Sequence, residues 1–283
     1  MGKPIGKTPE QRPAVERGPT SSSPPPPPQA GTAVDGRFAA PGDEPLAIAT
    51  TLSLDEPFRF DRGLAKRLRM REVNATEAFT LRDNSGTYLR ASVQAYDAKG
   101  GAAVAYERMS MSPEPAIDLT LACAVLARQR MQWVVQKATE LGVRRIVPVL
   151  TDHSVRPDAL EHEQAHAWAG HVARAAKQCR RSSLPHLLAP ATLDAFLASP
   201  LFATTDLRLF LDDRSDPTPT PAETPRRIVL FVGPEGGFSE AERQRLGNHA
   251  RPFVLGGRVL RAETAVLAGL TAVHVTWGDF RPG

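Results

Sequence analysis

Two glycine-rich breaks are the places in this sequence where chemistry could be done. The first is Gly233-Pro234-Glu235-Gly236-Gly237 and the second is Gly256-Gly257. Each follows a short apolar run, Ile228 to Val232 or Phe253 to Leu255, of strand length and β-branched content. Glycine directly after a strand lets the backbone turn with positive φ and lets a ligand approach the main chain. Two such breaks after consecutive strands describe one ligand held by two loops at the carboxyl edge of a parallel sheet. The first loop runs into Ser239-Glu240-Ala241-Glu242, a capping box, so a helix opens there with its free N–H groups available. Neither G-K-[ST] nor G-x-G-x-x-G is present, which makes nucleotide phosphates a poor choice of ligand. A purely structural turn is the competing reading. In the second loop Arg261 and Glu263 bracket another helix start, where a carboxylate is favoured by the helix dipole. Glu263 is either a helix-start residue or a polar anchor for the ligand.

Three other groups could carry chemistry. His162-Glu163-Gln164-Ala165-His166 matches H-E-x-x-H and reads as lying on a helix, the pattern of a zinc hydrolase. A third ligand is lacking, since His171 falls outside the usual continuation and no Glu or Asp occurs between Glu163 and Asp194. The expectation is therefore no metal. Cys123 and Cys179 have no paired-ligand spacing and read as core residues. Arg62 to Arg71 is a short helix candidate whose five cations form either a solvated face or a contact for a phosphate backbone.

The rest of the chain must position these residues. At 283 residues, with 41% hydrophobic and 23% charged content, the composition is that of a globular protein with a polar appendage. No apolar run reaches the roughly 18 to 20 residues that cross a bilayer, and the N-terminus lacks the apolar region of a secretory signal. Two cysteines make no disulfide framework, which fits a reducing cytoplasm. A formal charge of +4 permits a polyanionic partner without demanding one.

Residues 1–36 hold nine of the 26 prolines and few apolar residues, and read as a disordered tail. Residues 37–112 give short strands, Ala47 to Leu52, Ala78 to Arg82, Tyr88 to Tyr96 and Ala102 to Arg108, consistent with a small β-barrel or sandwich. After Pro113-Glu114-Pro115 the pattern alternates. It comprises a strand from Ile117 to Leu126, a helix through Met131, Val134, Val135, Ala138 and Leu141, and a strand from Arg145 to Leu150. Helices follow from Leu160 to Cys179 and Ala191 to Ala198, then a strand from Leu207 to Leu211 and a loop from Asp212 to Pro225. After the two glycine loops, a last helix spans Glu263 to Val273. Residues 113–283 are thus expected to form an open parallel α/β sheet.

Taken together, the motifs are specific. Val232 to Ser239 and Leu255 to Ala265 closely resemble the signatures of the RsmE family, 16S ribosomal RNA (uracil-N3)-methyltransferases of the SPOUT superfamily. Met131 to Gly142 resembles that family's M-E-x-x-x-Q-K-x-x-E-L-G, and Gln178 to Arg181 with Pro185 its E-Q-C/S-x-R-x-x-x-P. Leu68-Arg69-Met70 and Trp277-Gly278-Asp279 match further segments in the same order. Departures are Gly63, Arg67, Ala127 to Arg130, Lys177, Ser182, Ser183 and Gly257.

The resemblance implies a PUA-like RNA-binding barrel, then an α/β domain with a trefoil knot over about residues 228–270. It further implies a homodimer whose partner completes the site, S-adenosyl-L-methionine as methyl donor, and 16S rRNA in an assembled or nearly assembled small subunit as substrate. The alternative is a related enzyme with another RNA target. By the same resemblance, Leu211, Val232, Gly233, Pro234, Glu235, Gly236, Gly237, Leu255, Gly256, Val259, Leu260, Arg261 and Thr264 would hold the cofactor. Arg261 and Arg181 would steady the uracilate or a phosphate, and Glu263 would orient the methionine end or Arg261. Lys66, Arg67, Arg69, Arg128 and Arg130 would track RNA phosphates. No residue stands out as the general base. One outcome is expected from the tail alone: a chain starting at Val34 keeps the full-length thermal midpoint and methyl-transfer rate, measured side by side. Loss of both would show the tail to be structural.

Overall fold

The computed structural model describes residue 2, residues 36–216 and residues 224–280. The Pro-rich tail and the middle of the loop between Asp212 and Pro225 lie outside the described residues.

The first half builds one antiparallel sheet. It contains β1 (Pro57–Asp61), α1 (Arg62–Met70), β2 (Ala78–Arg82), β3 (Tyr88–Tyr96) and β4 (Gly100–Arg108), in the strand order β1-β4-β3-β2. The β2–β3 turn is set by Asp83, whose Oδ1 accepts the backbone N–H groups of Ser85 at 2.9 Å and Thr87 at 3.1 Å. Asp61 caps α1 by accepting from Leu64 N at 2.9 Å. That helix buries Leu64, Ala65 and Leu68 against Phe60, Phe79 and Leu89. The expected strand from Ala47 to Leu52 is not formed. Only Ala47 bridges to Arg82, because the chain bends at 49–50 and instead tucks Leu46 and Leu52 into the core. β1 and β2 are the edge strands, and β1, five residues long with one buried side chain, carries too short an apolar pattern to stand out in the sequence.

The second half is a parallel α/β sheet. Its elements are β5 (Asp118–Ala124), α2 (Arg128–Glu140), β6 (Arg145–Leu150), α3 (Trp168–Gln178), β7 (His186–Leu187) and β8 (Ala191–Thr192). They continue with α4 (Leu193–Leu197), α5 (Pro200–Ala203), β9 (Leu207–Leu211), β10 (Arg227–Val232), α6 (Glu240–His249), β11 (Arg251–Phe253) and α7 (Ala262–Trp277). The strand order is β11-β9-β10-β5-β6-β7, with β8 also paired to β6, and every pairing is parallel. The apolar runs are continuous because both faces are covered. Ile228, Leu230 and Val232 of β10 face the layer of α2, α3 and α7, whereas Val229 and Phe231 face Phe196, Phe202 and Leu246 of α4, α5 and α6.

The helix expected from Leu160 to Cys179 begins only at Trp168. Pro157–Ala159 and Ala165–Ala167 are single 3-10 turns, and Gln164 between them has φ 54°. His162 and His166 therefore do not share a helix face, and the geometry that H-E-x-x-H requires is missing. Ala191 to Ala198 divides into β8 and α4, and α7 runs four residues past Val273 to Trp277.

A network of charges, enclosed at Glu114, Arg181 and Arg71 and partly exposed at its margins, joins the two sheets. Glu114 accepts from Ser182 N at 2.7 Å and Ser183 N at 2.8 Å, and pairs with Arg181 at 3.2 Å. Arg181 also donates to the carbonyls of Thr139 at 3.1 Å and Val143 at 2.8 Å. Asp43 pairs with Arg71 and Arg67, and Lys177 reaches Glu77 at 2.6 Å. Of the residues assigned a role from sequence, Arg181 is buried in this junction, and Arg67 is held by Asp43 and by the Glu44 carbonyl. Removing one member of a buried pair leaves the other charge desolvated and costs about 3 to 5 kcal/mol. Arg181→Ala should therefore lower unfolding free energy by about 3 kcal/mol in urea titration. A loss below about 1 kcal/mol would place the pair with weak surface bridges instead.

Candidate active site

The carboxyl ends of β9, β10 and β11 open into one cleft of about 340 Å³. β9 lies between β10 and β11, so the two glycine loops flank a third segment, Leu211 to Arg214. Leu211, Val232, Leu255, Leu260, Ala262 and Ala265 supply apolar wall, and Asp212, Asp213, Arg214, Glu235, Arg243 and Arg258 bring charged groups to the same cleft. Gly233 to Gly237 form one lip, and Gly256, Arg258 and Val259 the other.

Local chemistry fixes each lip. Gly237 has φ +72° and Gly256 has φ +116°, values that strain any residue carrying a Cβ. Gly237 N donates back to Pro234 O at 2.9 Å, closing a tight turn. Ser239 and Glu242 form the capping box that starts α6. Glu242, 2% exposed, also accepts from Asp152 N at 2.9 Å, and Ser239 Oγ donates to Asp152 at 2.6 Å. His153 Nδ1 lies 3.0 Å from Gly237 O. The first loop is therefore anchored to the segment after β6. On the opposite wall, Asp212 takes the guanidinium of Arg243 from α6, the Ser215 hydroxyl and the Arg214 N–H. Above the first loop, Arg130 pairs with Glu235 and stands 3.9 Å from Glu263.

Most of the residues expected to hold a cofactor from the sequence line this cleft: Leu211, Val232, Gly233, Pro234, Glu235, Gly236, Gly237, Leu255, Gly256, Val259 and Leu260. Arg261 and Thr264 do not line it. Arg261 is the exposed N-cap residue of α7, and its side chain has no hydrogen bond or ion pair among the described residues. Glu263 turns towards Arg130, with Oε2 buried and unpartnered. Asp212, Asp213, Arg214 and Arg243 were missed because they meet the cleft through the insertion of β9 between the other two strands, and Phe238, which packs on Gly233 within the first loop, was missed as well. Of the expected RNA contacts, Lys66, Arg69 and Arg128 are exposed, whereas Arg130 is engaged by the two carboxylates beside the cleft.

The remaining reactive groups are elsewhere. Burial pushes the Cys123 thiol up to about 12, with the nearby Glu235 charge acting the same way, so it stays protonated at neutral pH. Burial also raises Cys179. Among the described residues, no group of three or more His, Cys, Asp or Glu side chains could hold a metal ion. No helix among them is long and apolar enough to cross a membrane.

Comparison with known proteins agrees with this arrangement. The model of the RNA methyltransferase domain family matches residues 112–274. Ribosomal RNA small subunit methyltransferase E of Synechocystis sp. is 29% identical over 212 residues, covering 73% of this chain and 68% of that protein. The protein of that name from Aquifex aeolicus is 28% identical over 211 residues, covering 73% and 89%. A crystal structure of ribosomal RNA small subunit methyltransferase E from Neisseria gonorrhoeae, bound to S-adenosyl methionine, superposes with a TM-score of 0.60 at 26% identity, over 84% of this chain and 100% of that one. With the cleft at the carboxyl ends of β9, β10 and β11 and the family match extending over more than half of its length, this chain belongs to the RNA methyltransferase family, as a member of its RsmE branch.

Proposed function

We propose that this protein transfers a methyl group from S-adenosyl-L-methionine to N3 of a uridine in 16S ribosomal RNA. The observation that carries the proposal is the cleft: apolar walls and two glycine-rich lips at the carboxyl edge of a parallel sheet, in a chain of the RNA methyltransferase family. The residues present fit this cofactor. Small Ala262 and Ala265 and the flat apolar walls leave room for an adenine ring, and the main chain of the lips offers polar contacts at its edge. When bound, the cofactor supplies an electrophilic methyl carbon on a cationic sulfur.

The chain's own residues supply position and charge. Leu211, Val232, Leu255 and Leu260 offer apolar surface against which the cofactor's ring would pack. Uracil N3–H is a weak acid, so transfer requires loss of that proton and stabilisation of charge spread over two carbonyl oxygens. In this reading Arg261, exposed at the start of α7 beside the second lip, stabilises that charge; its free side chain supports the role. Glu263, steered by Arg130, orients that lip or the amino-acid end of the cofactor. Lys66 and Arg69 on α1 and Arg128 at the start of α2 remain exposed, and would position RNA through its phosphates rather than specify a base.

Residues 37–112 act in this reading as a PUA-like RNA-binding barrel and residues 113–283 as the methyltransferase domain, with a trefoil knot over about 228–270. Exposed Trp133, Val259 and Val275, on α2, the second lip and α7, support a homodimer in which the partner completes the site. The site of action is a nearly assembled small ribosomal subunit in the cytoplasm.

Mass spectrometry of small-subunit rRNA nucleosides from cells with and without the gene tests the function: N3-methyluridine should disappear on deletion. Arg261→Ala should reduce methyl transfer at least about 100-fold, the scale of losing one donor to a developing anion. Calorimetric affinity for S-adenosylmethionine should stay within a few-fold. Undiminished uridine methylation by this variant would remove Arg261 from the mechanism.

A further inference from the structure

The opposite edge of the parallel sheet carries a second surface. There the amino ends of β9, β10 and β11 and the carboxyl end of α6 surround an open concavity lined by Arg208, Arg226, His249 and Arg251. Arg226 and Arg251 are exposed, and neither forms an ion pair among the described residues, although the Arg226 charge acts on nearby Asp206. Arg208 is pinned: its guanidinium lies 4.4 Å from the Phe202 ring centroid and donates to Ala203 O at 3.2 Å. Its Nε is buried without a partner.

Asp206 is the acidic residue lining this concavity, and its charge is already answered. Its Oδ2 accepts the backbone N–H groups of Arg226 at 3.1 Å and Arg227 at 2.9 Å, and the Arg227 guanidinium stands 3.6 Å away. The surface thus keeps an excess of positive charge in a concave wall, where field lines concentrate. We propose that this edge is a second RNA-contact surface, at which Arg208, Arg226 and Arg251 hold phosphates of the strand whose target base enters the cleft on the far side of the sheet.

The chemistry favours a phosphate backbone over a protein or a membrane. Guanidinium forks match phosphate oxygens in a bidentate manner, and stacking on Phe202 leaves Arg208 little freedom to lose on binding. Around the arginines the lining is polar or small, with Thr205, Gly247 and Asn248, and offers no aromatic anchor of the kind found in protein interfaces. The proposal rests on the RNA methyltransferase reading only for the identity of the polyanion.

The test uses the full chain with Arg226→Gln and Arg251→Gln together, and a labelled RNA transcribed from small-subunit rRNA. Binding is measured across a salt series. The logarithmic salt slope should become shallower by about 1.4, two phosphate contacts at about 0.7 each for single-stranded RNA. Affinity at the lowest salt should fall about tenfold, and S-adenosylmethionine affinity by calorimetry should be unchanged. An unchanged slope with intact wild-type binding overturns this surface alone. Failure of the wild type to bind the RNA, with or without cofactor, overturns both this surface and the reading on which it rests.

Discussion

The carboxylate of Glu114 sits where the antiparallel and parallel sheets meet, and the geometry of the whole molecule depends on its being satisfied. It is almost fully enclosed, so it must find its partners within the fold. It does so with two successive backbone N–H groups, the Ser183 hydroxyl and the Arg181 guanidinium. Those partners hold the turn after α3, and Arg181 in turn joins that turn to the end of α2 through Thr139 and Val143. Asp43 repeats the device from the other side, taking Arg71 of the first half and Leu184 N of the second. The two sheets are therefore not beads on a linker. The cations of α1 are thereby held at a fixed angle to the cleft.

Charge organises the cleft by a similar logic, with more exposure and so weaker individual pairs. Arg130 reaches from the first turn of α2 to Glu235 in the first lip and Glu263 at the start of α7, and the Asp212–Arg243 pair ties the end of β9 to α6. Exposed members of such pairs contribute little to stability. Their contribution is to hold loop positions that backbone hydrogen bonding leaves undetermined.

The glycine loops were legible in the sequence because positive φ and an S-x-x-E cap each select a narrow set of residue types. The parallel sheet was legible because strands buried on both faces read as continuous apolar runs. Asp212 and Arg243 were not legible. Their meeting depends on β9 lying between β10 and β11, and no local pattern encodes strand order. Nor were the partners of Arg181 and Arg67 legible, since Glu114 and Asp43 lie far from them in sequence and meet them only where the sheets join. Several departures from the family pattern have the same explanation. Arg67, Lys177, Ser182 and Ser183 all contribute to the sheet–sheet junction, so they reflect how this chain closes that contact. In H-E-x-x-H the motif was real and the helix was not: Gln164 in a left-handed conformation turns the two histidines out of register.

The out-of-order strands bear on how the protein comes into being. β9 is made before β10, and β10 before β11, yet β11 must reach past β10 to pair with β9. The last wall of the cleft, Ala262 and Ala265, belongs to α7, the final helix. A nascent chain can therefore complete its antiparallel sheet and the centre of its parallel sheet while the cleft has only one lip. The cleft is thus complete only once the segment after β10 has docked.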